Sequence, residues 1–178
     1  MPNLPSPQIL KPLVIGHTAL NKIATRIADP LSEDILIKGH NLLHTAKWLG
    51  DRCGLAANQV GILDRMIAVR IPKELVNPRY KDIWDDQQKP LDWTLMLEPT
   101  ATILDSAKIA GWEPCVSVPG VIGRIYRASK IGLTYYDILG QKHEMEFSGF
   151  GARLMLHEID HLNGILFPER VQNPDADL

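Results

Sequence analysis

The segment His157–His161, with the sequence His-Glu-Ile-Asp-His, restricts what this chain can fold into more than any other stretch. An α-helix turns once in about 3.6 residues, so two imidazoles four positions apart project from one face and can share a metal ion. Glu158 is rotated by about 100° from His157 around the helix axis, which places its carboxylate beside such an ion. The segment therefore predicts a helix with two metal ligands and one general base for an attacking water.

The helix that carries this motif is predicted to run from a cap at Ser148 to a stop at Asn163-Gly164. Apolar residues surround the motif and indicate that the helix is buried: Phe150, Leu154, Met155, Ile159 and Leu162. Buried histidines beside a carboxylate are costly unless something pairs with them, and a metal ion would do so. A chance pattern on a surface helix is the alternative, because the chain has six histidines.

A catalytic metal site of this kind needs a third protein ligand. Zinc proteases with the same motif usually take it from further along the chain, but the seventeen residues after His161 contain neither His nor Cys. Upstream, Cys115 stands in a turn-rich segment. An isolated cysteine is by default a small buried hydrophobe, yet beside a two-histidine helix that lacks a third ligand, the metal-ligand interpretation is favoured. An ordinary endoprotease is correspondingly disfavoured.

Size and composition are typical of one globular domain, predicted to be a single catalytic domain over residues 1–178. Hydrophobic residues make up 45% and charged residues 22% of the chain, which argues against disorder. The formal net charge of −2 argues against a protein built for polyanion binding, so no direct nucleic-acid specificity is expected. Cys53 and Cys115 permit a disulfide by number alone, but a reduced, metal-binding cysteine is preferred.

No apolar run approaches the roughly 20 residues needed to cross a bilayer, so no membrane partner is expected. The N-terminal residues 1–12 are proline-rich and lack a signal pattern. These features predict a cytoplasmic location. An organelle stroma or matrix is the alternative if a transit segment has been removed.

The first helix is predicted to start at Asp29-Pro30, a cap residue followed by proline, and to stop at Gly50. His40 and His44 lie four positions apart on it. No nearby cysteine or carboxylate accompanies them, so we interpret them as ordinary surface or partly buried histidines and not as a second metal pair.

Strand patterns follow, at residues 62–71, 93–97, 101–104, 130–136 and 141–147. The polar segment 72–92, rich in proline and aspartate, is predicted to be an exposed excursion. Because runs of strands are separated in sequence from two helices, the predicted fold class is α+β.

Three segments resemble the three signature motifs of the peptide deformylase family, in the same order. Gly54–Gln59, GLAANQ, is similar to the first motif, usually G-x-G-x-A-A-x-Q. Glu113–Ser117, EPCVS, is similar to the second, usually E-G-C-x-S. His157–His161 matches the third, H-E-x-D-H. Weaker similarity extends from Ile15-Gly16 to Leu166-Phe167, so the resemblance covers nearly the whole chain.

This resemblance implies antiparallel or mixed β-sheets packed around a central metal-binding helix. It also implies hydrolysis of the N-formyl group from the initiator methionine of new polypeptides, with release of formate. Cys115, His157 and His161 would hold the metal ion, with water as the fourth ligand, and Glu158 would move the protons. The family favours Fe²⁺, while Zn²⁺, Ni²⁺ or Co²⁺ also suit such ligands. The ribosome is the implied transient partner.

Further roles follow from the same resemblance. The Gln59 side chain and the Val116 backbone N–H would stabilise the oxyanion that forms during attack. Gly54 would pair through its backbone with the extended substrate, as in strand addition. Phe150 and Leu154 would line an apolar pocket for the methionine side chain, with core packing as their alternative role.

Three other residues would support the ligands. Glu113 and Arg127 match family positions that form an ion pair behind the metal-binding segment, the alternative being two unrelated surface charges. Asp160 could orient a ligand imidazole or could lie on the helix surface.

The chain departs from the family pattern at three positions near the motifs. Arg52 replaces the first glycine of the first motif, Pro114 replaces the glycine before Cys115, and Leu156 stands where many members have glutamine. None is a metal ligand, so catalysis is expected to persist. A divergent member that is weak or acts on another N-acylated substrate is the alternative function. A non-catalytic protein that binds peptide termini or the ribosome is a further one, although binding alone needs no general base.

Overall fold

One antiparallel sheet and a buried helix form the body of the protein. The computed structural model describes residues 4–74, 80–81, 83–84 and 89–178. The strands within this part of the chain are β1 (Gly54–Ala56), β2 (Met66–Ile71), β3 (Leu91–Cys115), β4 (Val118–Tyr136) and β5 (Lys142–Ser148). The helices there are α1 (Glu33–Trp48), α2 (Gly149–Leu162) and the short α3 (Pro174–Asp177).

The strands follow one another in the order β1-β2-β3-β4-β5, and every neighbouring pair is antiparallel. The two longest strands, β3 and β4, extend well beyond the segments 93–97, 101–104 and 130–136 predicted from the sequence. Register shifts interrupt their pairing, among them one between Ile103 and Asp105. Each shift breaks the two-residue alternation by which a strand is recognised, so long continuous strands look like short fragments in the sequence.

The α1 helix begins later than predicted, at Glu33 with Ser32 as its cap residue. The Asp29 side chain instead accepts a hydrogen bond from the Leu31 backbone N–H at 2.9 Å, and a local turn of this kind competes with helix formation. The predicted stop is confirmed, because Gly50 adopts a φ of +74° just beyond the helix end.

The predicted central helix is confirmed by α2, which starts after Ser148 and ends before Asn163. Eleven of its fourteen residues are buried, and it contacts all five strands. A helix buried on nearly every side lies inside a domain and not on its surface. The arrangement is the α+β fold that was predicted, with the motif helix at its centre.

The short strand β2 separates the two main parts of the core. Ile67 and Val69 pack in the cluster that includes α2, whereas Met66 and Ala68 pack in the cluster that includes α1. Successive side chains of a strand point to opposite faces, so the sheet is covered by α1 on one face and α2 on the other. No helix in the described part of the chain is long and apolar enough to span a membrane.

Part of the predicted excursion at 72–92 packs against the core. Residues 75–79, 82 and 85–88, including most of its aspartates, lie outside the described residues. Ile83 is only 3% exposed, and the rings of Tyr80 and Trp84 lie 4.9 and 5.7 Å from that of Phe150. The prediction of an exposed segment is therefore corrected at Ile83, because its apolar side chain and its aromatic neighbours are drawn onto α2.

Candidate metal centre

The structure brings the predicted metal ligands together from two elements. Cys115 is the last residue of β3, and His157 and His161 lie one turn apart on α2. Their ligand atoms all lie within 4.8 Å of one another. His161 Nε2 lies 3.2 Å from Cys115 Sγ and 3.2 Å from His157 Nε2.

The two separations of 3.2 Å are close to those between ligands of a single ion. Ligands arranged tetrahedrally at about 2.0 to 2.3 Å from an ion would lie about 3.3 to 3.6 Å from one another. The donors, one thiolate and two imidazoles, leave a fourth coordination position for the reaction, as in catalytic sites. Both cysteines are free, so Cys115 is available as a ligand and the disulfide alternative is excluded.

Glu113 orients one of the imidazoles. The His157 Nδ1 atom lies 2.8 Å from Glu113 Oε2. A ring nitrogen that donates its proton to a carboxylate leaves the other nitrogen unprotonated and directed at the metal. The Nε2 atom of His157 is therefore the one that faces the cluster.

The Gln59 side chain is held against the cluster by three hydrogen bonds. Its Oε1 accepts from the Ala56 backbone N–H at 2.8 Å. Its Nε2 donates to Cys115 Sγ at 3.3 Å and to Ser117 Oγ at 3.2 Å. The first contact fixes which end of the amide faces the site, so the donor end points at the metal ligands.

The Glu158 carboxylate lies beside the cluster, where only 3% of the residue is exposed. Burial raises the pKa of this carboxyl to about 7. A Cβ atom on Gly54 would lie 2.2 Å from Glu158 Oε1, so only a glycine permits β1 to pass this close to the carboxylate. The structure thus explains why the first motif needs Gly54.

A buried ion network supports the cluster from behind. Arg127 binds Glu113 through two hydrogen bonds, of 2.6 and 2.8 Å, and reaches Asp160 at 2.8 Å. Arg153 contacts Glu113 at 2.6 Å, and Arg170 contacts Asp160 at 2.6 Å. Burial opposes ionisation of Glu113, but its hydrogen bonds and charge interactions with Arg127 and His157 together outweigh burial and hold its pKa well below the usual range. The predicted Glu113–Arg127 pair therefore forms, and it is not a chance pair of surface charges.

Asp160 does not have either of its predicted roles. It contacts Arg127 and Arg170, whereas the carboxylate at an imidazole belongs to Glu113. With 7% of its surface exposed, it is also not a surface residue. The helix turns Asp160 toward the arginines, because a residue one position before His161 cannot share that residue's face.

Several residues at the site were missed from the sequence. Arg153 donates to Glu113 and to three backbone carbonyl groups, and the Asn58 side chain donates to the backbone carbonyl of His161. Ser117 and Arg170 were missed as well. A cation in the middle of the apolar helix was the one available signal for Arg153, since a buried arginine needs a partner.

A cavity of about 820 Å³ opens onto the cluster. Gly54, Val116, Phe150 and Leu154, which were predicted to contact substrate, all lie on its wall. His40 and His44 lie on α1 and do not belong to the ligand group.

Replacing Arg127 with Met is expected to lower the free energy of unfolding by about 3 to 5 kcal/mol, because two buried carboxylates lose a shared cation. Urea denaturation of the purified protein measures the change. Arg124 on the same strand is the matched control: its side chain is 46% exposed and lies 4.0 Å from Asp177. Arg124→Met should cost less than about 1 kcal/mol. Equal losses of unfolding free energy in the two variants would show that the buried position of the Arg127 network adds nothing to stability.

Comparisons with known proteins agree on one family. The family model described as polypeptide deformylase matches residues 9–177. Peptide deformylase from Thermoanaerobacter pseudethanolicus is 31% identical over 159 residues, covering 88% of this chain and 85% of the relative. The Streptococcus mutans peptide deformylase is 34% identical over 175 residues, covering 89% and 84%.

Solved structures give the same result. A class I type b peptide deformylase from Acinetobacter baumannii superposes with a TM-score of 0.79 at 33% identity, covering 92% of this chain and 99% of the other. The same deformylase with Met-Ala-Ser bound gives a TM-score of 0.78 at 33% identity, with the same coverage.

Proposed function

The chain belongs to the peptide deformylase family, and on that premise we propose which of its residues carry out the family's reaction. It is a metal-dependent hydrolase that removes the N-formyl group from the initiator methionine of newly made polypeptides and releases formate. The observation that carries the assignment of residues is the convergence of Cys115, His157 and His161 within 4.8 Å. The buried carboxylate of Glu158 beside them completes the set.

Cys115, His157 and His161 hold one divalent ion in this proposal. When bound, the ion polarises the formyl carbonyl and lowers the pKa of the attacking water. Glu158 accepts a proton from that water and then delivers it to the departing amine. Its burial supports this role, since a carboxyl with a pKa of about 7 can both accept and give up a proton near neutral pH.

Two hydrogen-bond donors, the Gln59 side-chain amide and the Val116 backbone N–H, stabilise the negative charge that develops on the formyl oxygen in this proposal. The Gln59 amide already points its Nε2 toward the ligands. The Val116 N–H belongs to the residue directly after Cys115, in the turn between β3 and β4. Donors fixed in advance stabilise a transition state more than mobile ones do, because they need no reorganisation during the reaction.

The peptide lies along the free edge of β1. This strand is the first of the sheet, and Gly54 pairs on one side with Val69 of β2. Within the described residues no strand occupies its other edge, so an extended peptide can add there through its backbone. Phe150 and Leu154 on the cavity wall offer an apolar surface to the methionine side chain. The Met-Ala-Ser bound to the Acinetobacter deformylase is a peptide of the corresponding kind.

Fe²⁺ is the proposed working ion. One thiolate and two imidazoles also suit Zn²⁺, Co²⁺ or Ni²⁺, so family likeness is what supports iron, and elemental analysis of anaerobically purified protein tests it. We also propose a cytoplasmic location and transient contact with the ribosome, because the formylated N-terminus emerges there. Membership of the family over residues 9–177 disfavours the divergent and the binding-only alternatives.

Formate release from formyl-Met-Ala-Ser, compared with acetate release from acetyl-Met-Ala-Ser, tests the function. We expect hydrolysis of the formyl peptide and little of the acetyl peptide, because the acetyl methyl group adds bulk at the carbon under attack. Removal of metal with a chelator should abolish formate release, and anaerobic addition of Fe²⁺ should restore it. Absence of formate release by metal-loaded protein would refute the assignment.

A further inference from the structure

Arg52 lies at the cavity on the segment that leads into β1, at the position where the first family motif usually has a glycine. It lines the same cavity as Glu158 and His157, and its side chain is 39% exposed. A glycine there would leave this part of the wall uncharged. In this chain a guanidinium group lies there instead, in the cavity that leads to the metal ligands.

The Arg52 guanidinium has little to neutralise it. Within the described part of the chain its one ion pair is with Asp51, at 3.7 Å, and the Asp51 side chain is 92% exposed. A contact of this length between solvated side chains is weak. Most N–H donors of the Arg52 guanidinium therefore remain available to a ligand.

The backbone beneath Arg52 is held in place by Arg70. Arg70 Nε donates to the Arg52 carbonyl oxygen at 3.3 Å, and Arg70 Nη2 donates to that of Gly50 at 3.1 Å. The Arg70 guanidinium also lies 5.4 Å from the centre of the Trp93 ring. With its backbone anchored in this way, Arg52 loses less entropy when it binds a ligand.

The charges on this part of the cavity wall favour an anion. Arg52 and Arg70 supply two positive charges against the one carboxylate of Asp51. Glu113 and Arg153, which are both buried, form an ion pair with an N–O distance of 2.6 Å and neutralise each other. Among the described residues that line the cavity, Glu158 is the remaining acid, and it lies at the proposed reaction centre.

Arg52 is close enough to act on the peptide beyond its methionine. Gly54 lies beside Glu158, so close that a Cβ atom on it would overlap the carboxylate, and two residues of extended chain span at most about 7 Å. A peptide added along β1 advances by a similar distance in two residues. In an antiparallel addition the peptide runs from Glu158 back toward Arg52, so the residues immediately after methionine pass within reach of the Arg52 side chain.

From this geometry we propose that Arg52 is a specificity-determining residue that selects formylated peptides with a carboxylate in the first two positions after methionine. The carboxylate belongs either to an Asp or Glu side chain or to the C-terminus of a short peptide. This inference rests on the proposed function and adds a substrate preference to it. The planar guanidinium fork suits a carboxylate because it can donate two parallel hydrogen bonds.

Values of kcat/KM for matched formyl peptides test the preference. The side-chain arm compares formyl-Met-Asp-Ala-amide with formyl-Met-Asn-Ala-amide, and formyl-Met-Ala-Asp-amide with its Asn partner. The terminal arm compares formyl-Met-Ala-Ser with its amide. The wild type should favour the charged peptide by about three- to tenfold in at least one arm. The preference should shrink at high salt, because a partly exposed pair is screened.

Variants assign that preference to Arg52. Arg52→Gly should bring the charged-to-neutral ratio to about one, Arg52→Lys should keep part of it, and Asp51→Asn should increase it. Arg26→Gly is the control, because Arg26 is 91% exposed and does not line the cavity; it should leave the ratio unchanged.

The outcomes separate this inference from the function itself. Equal rates on charged and neutral peptides, or a preference that survives Arg52→Gly, would overturn the role of Arg52 while leaving deformylation intact. No formate from any peptide, the neutral amides included, would instead overturn the proposed function.

Discussion

Replacing Glu158 with Ala or Gln is expected to lower kcat for formate release by about 10²- to 10⁴-fold, the usual contribution of a general acid–base group. The carboxylate is buried beside the metal ligands and is not one of them. The variants should therefore keep their metal content while they lose the proton transfers. Glu158→Gln is the more informative variant, because it preserves the volume beside Gly54 and removes only the charge and the basicity.

Metal content and formate release are measured on the same preparations. Glu144→Ala serves as the control, because Glu144 is an exposed residue of β5 whose side chain forms an ion pair with Lys142. A loss of less than about tenfold in the metal-loaded Glu158 variants would remove Glu158 as the proton carrier. Loss of the metal along with activity would instead make Glu158 a part of the metal site.

Replacing Cys115 with Ser is expected to weaken metal binding by more than the roughly 10- to 100-fold that follows loss of a supporting group around a metal site. A serine hydroxyl stays protonated near neutral pH, whereas a cysteine beside a metal ion binds as thiolate. Formate release should fall with metal content. Elemental analysis after anaerobic purification, followed by titration with Fe²⁺, measures the change.

Cys53→Ser is the matched control for this variant. Cys53 lines the same cavity but does not belong to the ligand group, so its replacement should leave metal content unchanged. If the Cys115 variant binds as much metal as the wild type, Cys115 is not a ligand. If both serine variants lose metal equally, the loss reflects damage to the cavity and not removal of a ligand.

Local sequence patterns predicted the motif helix and its ends well. The segment His157–His161 places both imidazoles on one face whatever surrounds it, because that relation is complete within one helical turn. Ser148 and Gly164 mark the helix boundaries by equally local rules. The start of α1 was wrong by a few residues, because the turn made by Asp29 involves only neighbouring groups and competes with a helical start there.

Local rules could not predict the lengths of β3 and β4. They also could not predict which residues hold the metal ligands in position. Irregular pairing hides the long strands from any two-residue periodicity. Glu113 lies 44 residues before His157, the imidazole that it orients. Asp160 is next to His161 in the sequence, but it forms ion pairs with Arg127 and Arg170 instead of contacting an imidazole. Arg153 enters the site because α2 is buried against both long strands.

The amino-acid sequence by itself determined a helix with two metal ligands and a base, and the family motifs identified Cys115 as the third ligand. The tertiary structure alone decided that the Cys115 sulfur lies 3.2 Å from an imidazole 46 residues away. It also decided that Glu113 contacts His157 Nδ1 and that Arg52 lines the same cavity as Glu158. The reason is physical: a helix face is set by bonds between near neighbours, whereas contacts between a strand end and a helix depend on sheet register and core packing over the whole chain.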